Sequence, residues 1–138
     1  MPSKDIYHDV VCNALIKEGW TITHDPLFLR YGKKDMYVDL GAERLIAAQK
    51  ASDVIAVEVK SFVGPSGMVN LEKALGQYLI YRDVLQAQNS TRKLYLAVPE
   101  VAQADIFDEP LGQLLTDKYS LSLIIFDIEK ELITQWIN

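Results

Sequence analysis

The sequence has 138 residues, of which 49% are hydrophobic and 24% charged, and its formal net charge is −5. This length and composition predict one globular domain, residues 1–138, with a core of ordinary size. The acidic balance excludes broad, non-specific attraction to nucleic acid, although a local basic groove stays open. The single cysteine excludes an internal disulfide, and no Cys/His cluster in the sequence indicates zinc.

Neither end of the sequence nor its interior indicates a membrane segment. Residues 1–5 lack the apolar core of a signal peptide, and no apolar run approaches membrane-spanning length. We therefore expect a soluble, cytoplasmic protein with no membrane partner.

The first predicted element is a helix over residues 5–18. Apolar side chains recur there at 3.6-residue spacing, and Gly19 stands where a left-handed residue commonly ends a helix. His8 lies at the edge of the apolar side. It is either a partly exposed surface histidine or a metal ligand or phosphate contact near the start of the helix.

Apolar runs separated by polar turns then predict strands. They cover residues 20–24, 27–31, 36–40, 55–62, 93–98, 121–126 and 131–137. Residues 41–49 fit either a short helix or a continuing strand, and residues 50–53 are expected to form a turn.

Three further helices are expected, over residues 68–88, 101–107 and 110–118. The last should turn Leu111, Leu114 and Leu115 inward. A strand, a long helix and a second strand in succession predict a parallel crossover. The fold class is therefore α/β, a mixed β-sheet flanked by helices.

Two charges interrupt the predicted buried strand at residues 55–62. Side chains alternate along a strand, so Glu58 and Lys60 point to one face. An ionised group in apolar surroundings needs a partner or a metal. The pair is therefore either part of a metal-dependent nuclease site or an ordinary ion pair at a sheet edge. Asp39, near the end of an earlier strand, either caps the next turn or joins them.

If the strands of Asp39 and Glu58 pair, the two carboxylates converge on one metal. Mg²⁺ takes carboxylate oxygens and keeps several waters, one of which can become the nucleophile. Lys60 would orient that water or stabilise developing charge, and the carbonyl of Val59 is a further candidate ligand. The candidate metal ligands are thus Asp39, Glu58 and Val59.

An aspartate followed by Glu58-Val59-Lys60 on the next strand resembles the PD-(D/E)xK superfamily, with Val38 where the pattern has proline. Gln77 and Tyr81 match the Gln-x-x-x-Tyr motif of its RecB-type exonucleases. The resemblance implies a restriction endonuclease-like fold and a Mg²⁺ or Mn²⁺ cofactor.

The same resemblance assigns roles to particular residues. It makes Asp39, Glu58 and Lys60 catalytic, with Gln77 and Tyr81 in support. His8 falls near the place of an acidic residue in archaeal Holliday-junction resolvases, which implies a supporting role there.

The sequence also resembles the XisH family, the fdxN element excision controlling factors of cyanobacteria. The similar segments are residues 4–8, 13–17, 19–26, 38–43, 55–62, 74–78 and 95–99. The resemblance implies DNA as a target, a companion protein called XisI, and a part in removing a DNA element during heterocyst development. In that system the strand-cutting recombinase is a separate protein.

Three interpretations therefore stand side by side. The chain is a Mg²⁺-dependent DNA nuclease, a non-catalytic control factor that keeps the nuclease fold and binds a partner or DNA, or a scaffold with a Glu58–Lys60 ion pair. A homodimer is expected from the nuclease resemblance, because many nucleases of this fold cut both strands as dimers.

Overall fold

The structure is a computed structural model that describes residues 4–46 and 51–138. Within these ranges the helices are α1 (His8–Lys17), α2 (Gly67–Ala87), α3 (Glu100–Ala102), which continues as a π-helical turn over Gln103–Phe107, and α4 (Pro110–Tyr119). The strands are β1 (Thr21–His24), β2 (Leu27–Tyr31), β3 (Lys34–Val38), β4 (Leu40–Ile46), β5 (Ala51–Val59), β6 (Lys93–Pro99), β7 (Leu123–Asp127) and β8 (Leu132–Ile137).

A six-stranded mixed sheet organises the fold. Its strand order is β1-β4-β5-β6-β7-β8, and β2 and β3 form a separate two-stranded sheet. The β5–β6 and β6–β7 pairs are parallel, whereas β1–β4, β4–β5 and β7–β8 are antiparallel. The predicted mixed sheet flanked by helices and the parallel crossover through α2 are both confirmed.

Alternation along β5 builds a core on each face of the sheet. Ile55, Val57 and Val59 pack with Val11 and Leu15 of α1 on one face. On the other face, Ala56 packs with a larger cluster that includes α2 side chains. Since Glu58 follows Ala56 on the α2 face, the period of two places a carboxyl group beside α2.

The first helix begins three residues later than expected. A carboxylate oxygen of Asp5 accepts from the N–H of Tyr7, and Ile6 is exposed, so the chain before His8 forms a turn. The predicted end at Gly19 is confirmed, because this glycine has a φ of +90°.

The structure settles the ambiguity after residue 40 in favour of a strand. Residues 40–46 form β4, and residues 47–50 lie outside the described part of the chain. The predicted turn at residues 50–53 is wrong from Ala51 onward, because β5 begins there and pairs with β4. This strand ends at Val59, three residues before the expected end.

The inward side of α4 was predicted only in part, because Leu115 packs against the core as expected but its two companions do not. Leu111 and Leu114 are exposed, whereas Gly112 is buried. A β-carbon at Gly112 would lie 2.1 Å from the carbonyl oxygen of Ile106, so this side of the helix lies against backbone. Apolar spacing pointed to the leucines, but close backbone contact selected the glycine side.

Across the described residues, no helix combines the length and apolar character needed to cross a membrane.

Candidate metal-binding active site

Asp39 lies where the chain leaves the small sheet and enters the large one. It separates β3 from β4, and β4 then pairs with β5 in a register that sets Leu40 opposite Val57. One step further along each strand brings Asp39 beside Glu58. The convergence of these two carboxylates therefore follows from strand pairing, as the sequence predicted.

Main-chain hydrogen bonds fix the two acidic side chains. The N–H of Asp39 donates to Oε1 of Glu58 at 3.1 Å, and the N–H of Val59 donates to Oδ2 of Asp39 at 2.8 Å. The N–H of Lys60 donates to the carbonyl of Ala97 on β6. Because strand N–H and C=O groups alternate in direction, the carbonyl of Val59 is directed to the Asp39 side.

Lys60 joins this pair from the α2 face. Its Nζ lies 3.8 Å from Oε2 of Glu58, and the lysine side chain is 27% exposed against 5% for the glutamate. The predicted common face for Glu58 and Lys60 is confirmed. Lys60 therefore borders both the buried carboxyl group and solvent.

The surroundings hold Glu58 in an unusual protonation state. Burial, the negative charge of Asp39 and a hydrogen bond with its side chain raise the pKa of Glu58 to about 8, against an opposing effect of Lys60. Burial and the charges of Glu58 and Asp39 also raise the pKa of Tyr81 to about 12. Without a further cation, the site therefore holds a proton at neutral pH.

A cleft of about 260 Å³ opens onto these groups. It is lined by Lys4, Asp5, Tyr37, Asp39, Glu58, Val59, Lys60, Gln77 and Tyr81. The structure thus brings together all the predicted site residues except His8. A larger cavity of about 700 Å³ is lined by Trp20, Tyr95 and Trp136 among others, but it lacks the Asp39–Glu58 pair.

Gln77 and Tyr81 both reach the cleft from α2. Tyr81 is buried and therefore belongs to the apolar side of the helix. Oε1 of Gln77 is buried and finds no hydrogen-bond partner among the described residues. Such an oxygen is suited to a ligand or a water that occupies the cleft.

Three residues of the cleft were not singled out from the sequence. Lys4 and Asp5 reach it from the turn before α1, and Oδ2 of Asp5 accepts from the N–H of Ser61. Tyr37 was signalled only by its alternation with Asp39. Nothing in the local pattern of Lys4 or Asp5 indicated a site, because their approach to the cleft depends on tertiary packing.

His8 is placed elsewhere. The residue is 3% exposed, which makes the surface interpretation wrong, and Nε2 lies 2.7 Å from Oδ1 of Asp25. It is not among the residues that line the cleft of Asp39 and Glu58. No local pattern indicated Asp25 as the partner, because it lies 17 residues away along the chain.

The donor set fits a hard divalent cation. Asp39 and Glu58 each use one carboxylate oxygen for a main-chain hydrogen bond, so Oδ1 of Asp39 and Oε2 of Glu58, the oxygen nearest Lys60, are the candidate metal-binding atoms. The carbonyl of Val59 supplies a third oxygen on the same side. Two carboxylates with one carbonyl match the preference of Mg²⁺ and Mn²⁺ for oxygen ligands.

Fold and cleft together define a mixed α/β protein with a lysine beside a buried glutamate and a half-buried aspartate. The model of the family described as "XisH protein" matches residues 1–134. The chain belongs to the XisH family.

Two similar solved structures extend over the whole fold. An XisH family protein from Nostoc punctiforme PCC 73102 is 38% identical, with 97% of this chain and 100% of that chain covered and a TM-score of 0.87. A fdxN element excision controlling factor protein from Anabaena variabilis is also 38% identical, with 98% and 100% covered and a TM-score of 0.88. No curated protein matches the sequence.

Proposed function

We propose that this protein is an excision controlling factor for programmed removal of a DNA element, and that it carries a Mg²⁺- or Mn²⁺-dependent DNA nuclease site of the restriction endonuclease-like kind. The excision role rests on the similarity to the Anabaena variabilis protein. The nuclease role rests on one observation, the convergence of Asp39 and Glu58 beside Lys60.

In this proposal Asp39, Glu58 and the carbonyl of Val59 hold the cation. When bound, the cation would offset charge on a phosphate and lower the pKa of a coordinated water. Lys60 is placed to donate to a phosphate oxygen or to orient the attacking water, because its Nζ borders both Glu58 and solvent.

Residues of α2 complete the proposed site. The unpartnered Oε1 of Gln77 would accept from a water or a ligand at the cleft. Tyr81, whose raised pKa keeps the hydroxyl protonated, would donate a hydrogen bond to a phosphate oxygen.

A non-catalytic control factor is the second candidate function. The charge of the cleft favours it, because Lys4 and Lys60 are the cationic side chains among its described lining residues and the chain carries a net charge of −5. Such a protein would keep the fold and the cation site but act by binding DNA or a partner.

Nuclease assays separate the two candidates. Wild-type protein is incubated with single-stranded, duplex and branched DNA in the presence of Mg²⁺ or Mn²⁺, beside Asp39→Asn, Glu58→Ala and the exposed control Glu72→Gln. Cleavage that requires the cation, survives in the control and falls by at least about 10²-fold in both site variants supports the nuclease. Equal residual cleavage in all four proteins would identify a contaminant and reject the catalytic role.

The proposal includes two protein partners, an XisI-like companion and a second copy of the chain. Light scattering of the purified protein, alone and mixed with such a companion, gives the mass of each assembly. A monomer that stays monomeric in both experiments would remove these partners from the proposal.

A further inference from the structure

A second group of metal-binding side chains lies on α1. A ring nitrogen of His8, a carboxylate oxygen of Asp9 and Sγ of Cys12 all lie within 4.8 Å of one another. His8 and Cys12 are four residues apart and therefore share one side of the helix. Among the described residues, this is the group of three metal-binding side chains whose ligand atoms come close enough to hold an ion.

A second, independent observation concerns the ring nitrogens of His8. His8 is 3% exposed, and its Nε2 is bound to Asp25, yet its Nδ1 is buried with no partner among the described residues. Buried polar atoms are almost always paired, so an unpaired ring nitrogen requires an explanation. A metal ion at Nδ1 supplies one.

Asp25 contacts His8 in the way that a carboxylate commonly contacts a metal-binding histidine. Histidines that bind metals commonly donate their other ring N–H to a carboxylate, which fixes the tautomer and strengthens the ligand. Because a carboxylate only accepts, the 2.7 Å contact with Asp25 requires a proton on Nε2, and in the neutral ring Nδ1 then carries the lone pair. Asp25 is thus a positioning residue.

We infer that His8, Asp9 and Cys12 form a second metal site, separate from the Asp39–Glu58 cleft and suited to Zn²⁺ or a related transition-metal ion. One nitrogen, one sulfur and one oxygen are a poor set for Mg²⁺ but a good set for Zn²⁺. Three protein ligands leave a fourth position for water or a substrate group.

The geometry needs only a small adjustment. Bond lengths of about 2.0–2.3 Å put the ligand atoms of a tetrahedral zinc roughly 3.3–3.8 Å apart. Asp9 is exposed and Cys12 is half-buried, so rotation of these two side chains can close the difference while His8 stays fixed. The single His-x-x-x-Cys spacing is too weak to indicate zinc in the sequence, and the fold adds Asp25.

Metal binding must displace a proton at Cys12. Burial and the charges of Asp25 and Asp9 raise the pKa of this thiol to about 11, so it is protonated before the metal arrives. On binding, the S–H proton goes to solvent and a metal–sulfur bond forms. The thiolate therefore appears only with the metal, which makes it a specific signal.

Cobalt substitution tests the site directly. Full-length protein without a polyhistidine tag is titrated with Co²⁺ and followed by absorption. We expect a near-ultraviolet thiolate-to-cobalt charge-transfer band that saturates at one Co²⁺ per chain, is displaced by Zn²⁺ and resists excess Mg²⁺. Because Cys12 is the only cysteine, the band reports this residue alone. Its absence at saturating Co²⁺ overturns the inference.

Substitutions then assign each group. Cys12→Ser should abolish the band. Asp25→Asn should weaken the affinity for Co²⁺ by about 10- to 100-fold but still give the full band at saturating Co²⁺. Asp9→Asn should weaken binding, and the exposed control Asp117→Asn should not. Zinc affinity unchanged in Cys12→Ser would reject the site.

Two measurements keep the result distinct from the proposed nuclease site. Asp39→Asn should retain the cobalt band, because Asp39 supplies no ligand here; loss of the band would reject a separate site. Nitrogen NMR of the His8 ring, assigned with His24→Gln, should show zinc shifting Nδ1 far more than Nε2. This avoids replacing the buried His8, and an unshifted Nδ1 would also reject the inference.

Discussion

Asp39 and Glu58 hold each other in place through crossed contacts. The main-chain N–H of Asp39 donates to the Glu58 side chain, and the Asp39 side chain accepts from the N–H of Val59, the next residue after Glu58. These two bonds take the place of the main-chain hydrogen bonds that would form here if the pairing of β4 with β5 continued by one residue. The two carboxyl groups are therefore fixed near one another and cannot relieve their repulsion by moving apart.

Stability should consequently fall as pH rises through the range in which Glu58 titrates. Its pKa is about 8 in the folded protein against an ordinary value of 4.5. The folded state holds the Glu58 proton more tightly than the unfolded state does. The contribution of this proton to the unfolding free energy is therefore complete below about pH 4.5 and is lost as pH rises through about 8. The expected loss is on the order of a few kcal/mol.

Glu58→Gln is the matched variant for this prediction, because an amide resembles the protonated carboxyl group in shape. Urea unfolding of both proteins between about pH 5 and pH 9 gives the difference in unfolding free energy, in which other titrating groups cancel. The unfolding free energy of the variant relative to wild type should increase as pH rises. A pH-independent difference would contradict a raised pKa at Glu58.

Divalent cations should stabilise the folded form by binding to the two carboxylates in place of the proton that Glu58 holds at neutral pH. At neutral pH, Mg²⁺ or Mn²⁺ at about 100 times its dissociation constant should add about 2.7 kcal/mol to the unfolding free energy of wild type. Asp39→Asn and Glu58→Gln should lose this gain while their metal-free forms stay at least as stable. Thermal unfolding with and without each cation measures both effects.

A scaffold ion pair predicts the opposite pattern. Breaking a buried Glu58–Lys60 pair would leave Lys60 without its partner and destabilise the fold by about 3–5 kcal/mol. Strong destabilisation of Glu58→Gln, together with no response to either cation, would therefore favour the scaffold interpretation.

Much of the site could be predicted because its residues follow from strand period and pairing. Glu58 and Lys60 share a face through alternation, and Asp39 reaches them once β4 and β5 pair. His8 could not be placed in this way. His8 is bound to Asp25 in the turn between β1 and β2, and helical periodicity does not predict a contact with a residue outside the helix.

The limits of the fold prediction have a similar origin. Residues 41–46 carry both small and long apolar side chains and fit two periodicities, and only pairing with β5 decides for a strand. Leu111 and Leu114 of α4 were wrongly placed inward, because apolar spacing does not show which side of a helix lies against backbone. Gly112 packs against the π-helical turn, and the sequence alone gives no sign of that neighbour.

Gln77→Met should separate cleft chemistry from stability. Oε1 of Gln77 has no partner among the described residues, so removing it should change the unfolding free energy by less than about 1 kcal/mol. If the side chain acts on a ligand in the cleft, cation-dependent cleavage should fall at least about tenfold, equivalent to 1.4 kcal/mol. Denaturation and cleavage rates are compared with Gln86→Met, an exposed control on α2. Loss of stability without loss of cleavage would make Gln77 structural.

Gly112→Ala should be strongly destabilising. A β-carbon would meet the Ile106 carbonyl oxygen at 2.1 Å and Cα of Phe107 at 2.6 Å, and neither backbone atom can rotate away. We expect a loss of about 2–3 kcal/mol or more in urea unfolding. Gly76→Ala is the matched control, since nothing lies within 4 Å of its β-carbon and α2 should gain about 0.5–1 kcal/mol. Similar values for both variants would contradict the packing of α4.

Two tyrosines on α2 should respond in opposite ways to removal of the hydroxyl group. The Tyr78 hydroxyl donates to the carbonyl of Leu94 at 3.3 Å and accepts from the N–H of Ser122 at 3.1 Å, so it bridges β6 and the start of β7. Tyr78→Phe leaves both buried main-chain groups unpaired and should lower the unfolding free energy by about 1–3 kcal/mol.

For Tyr81, no hydrogen bond of the hydroxyl to another described residue is found, although the ring is buried at the cleft. Tyr81→Phe should therefore change stability by less than about 0.5 kcal/mol, because the packed ring is kept and no internal hydrogen bond is broken. Its effect should appear in cation-dependent cleavage, which Tyr78→Phe should leave near wild type at temperatures well below unfolding. Urea denaturation and cleavage rates of the two variants, measured side by side, give the comparison. If Tyr81→Phe proves the more destabilising change and leaves cleavage unaltered, Tyr81 has a structural part and the proposed contact with phosphate is wrong.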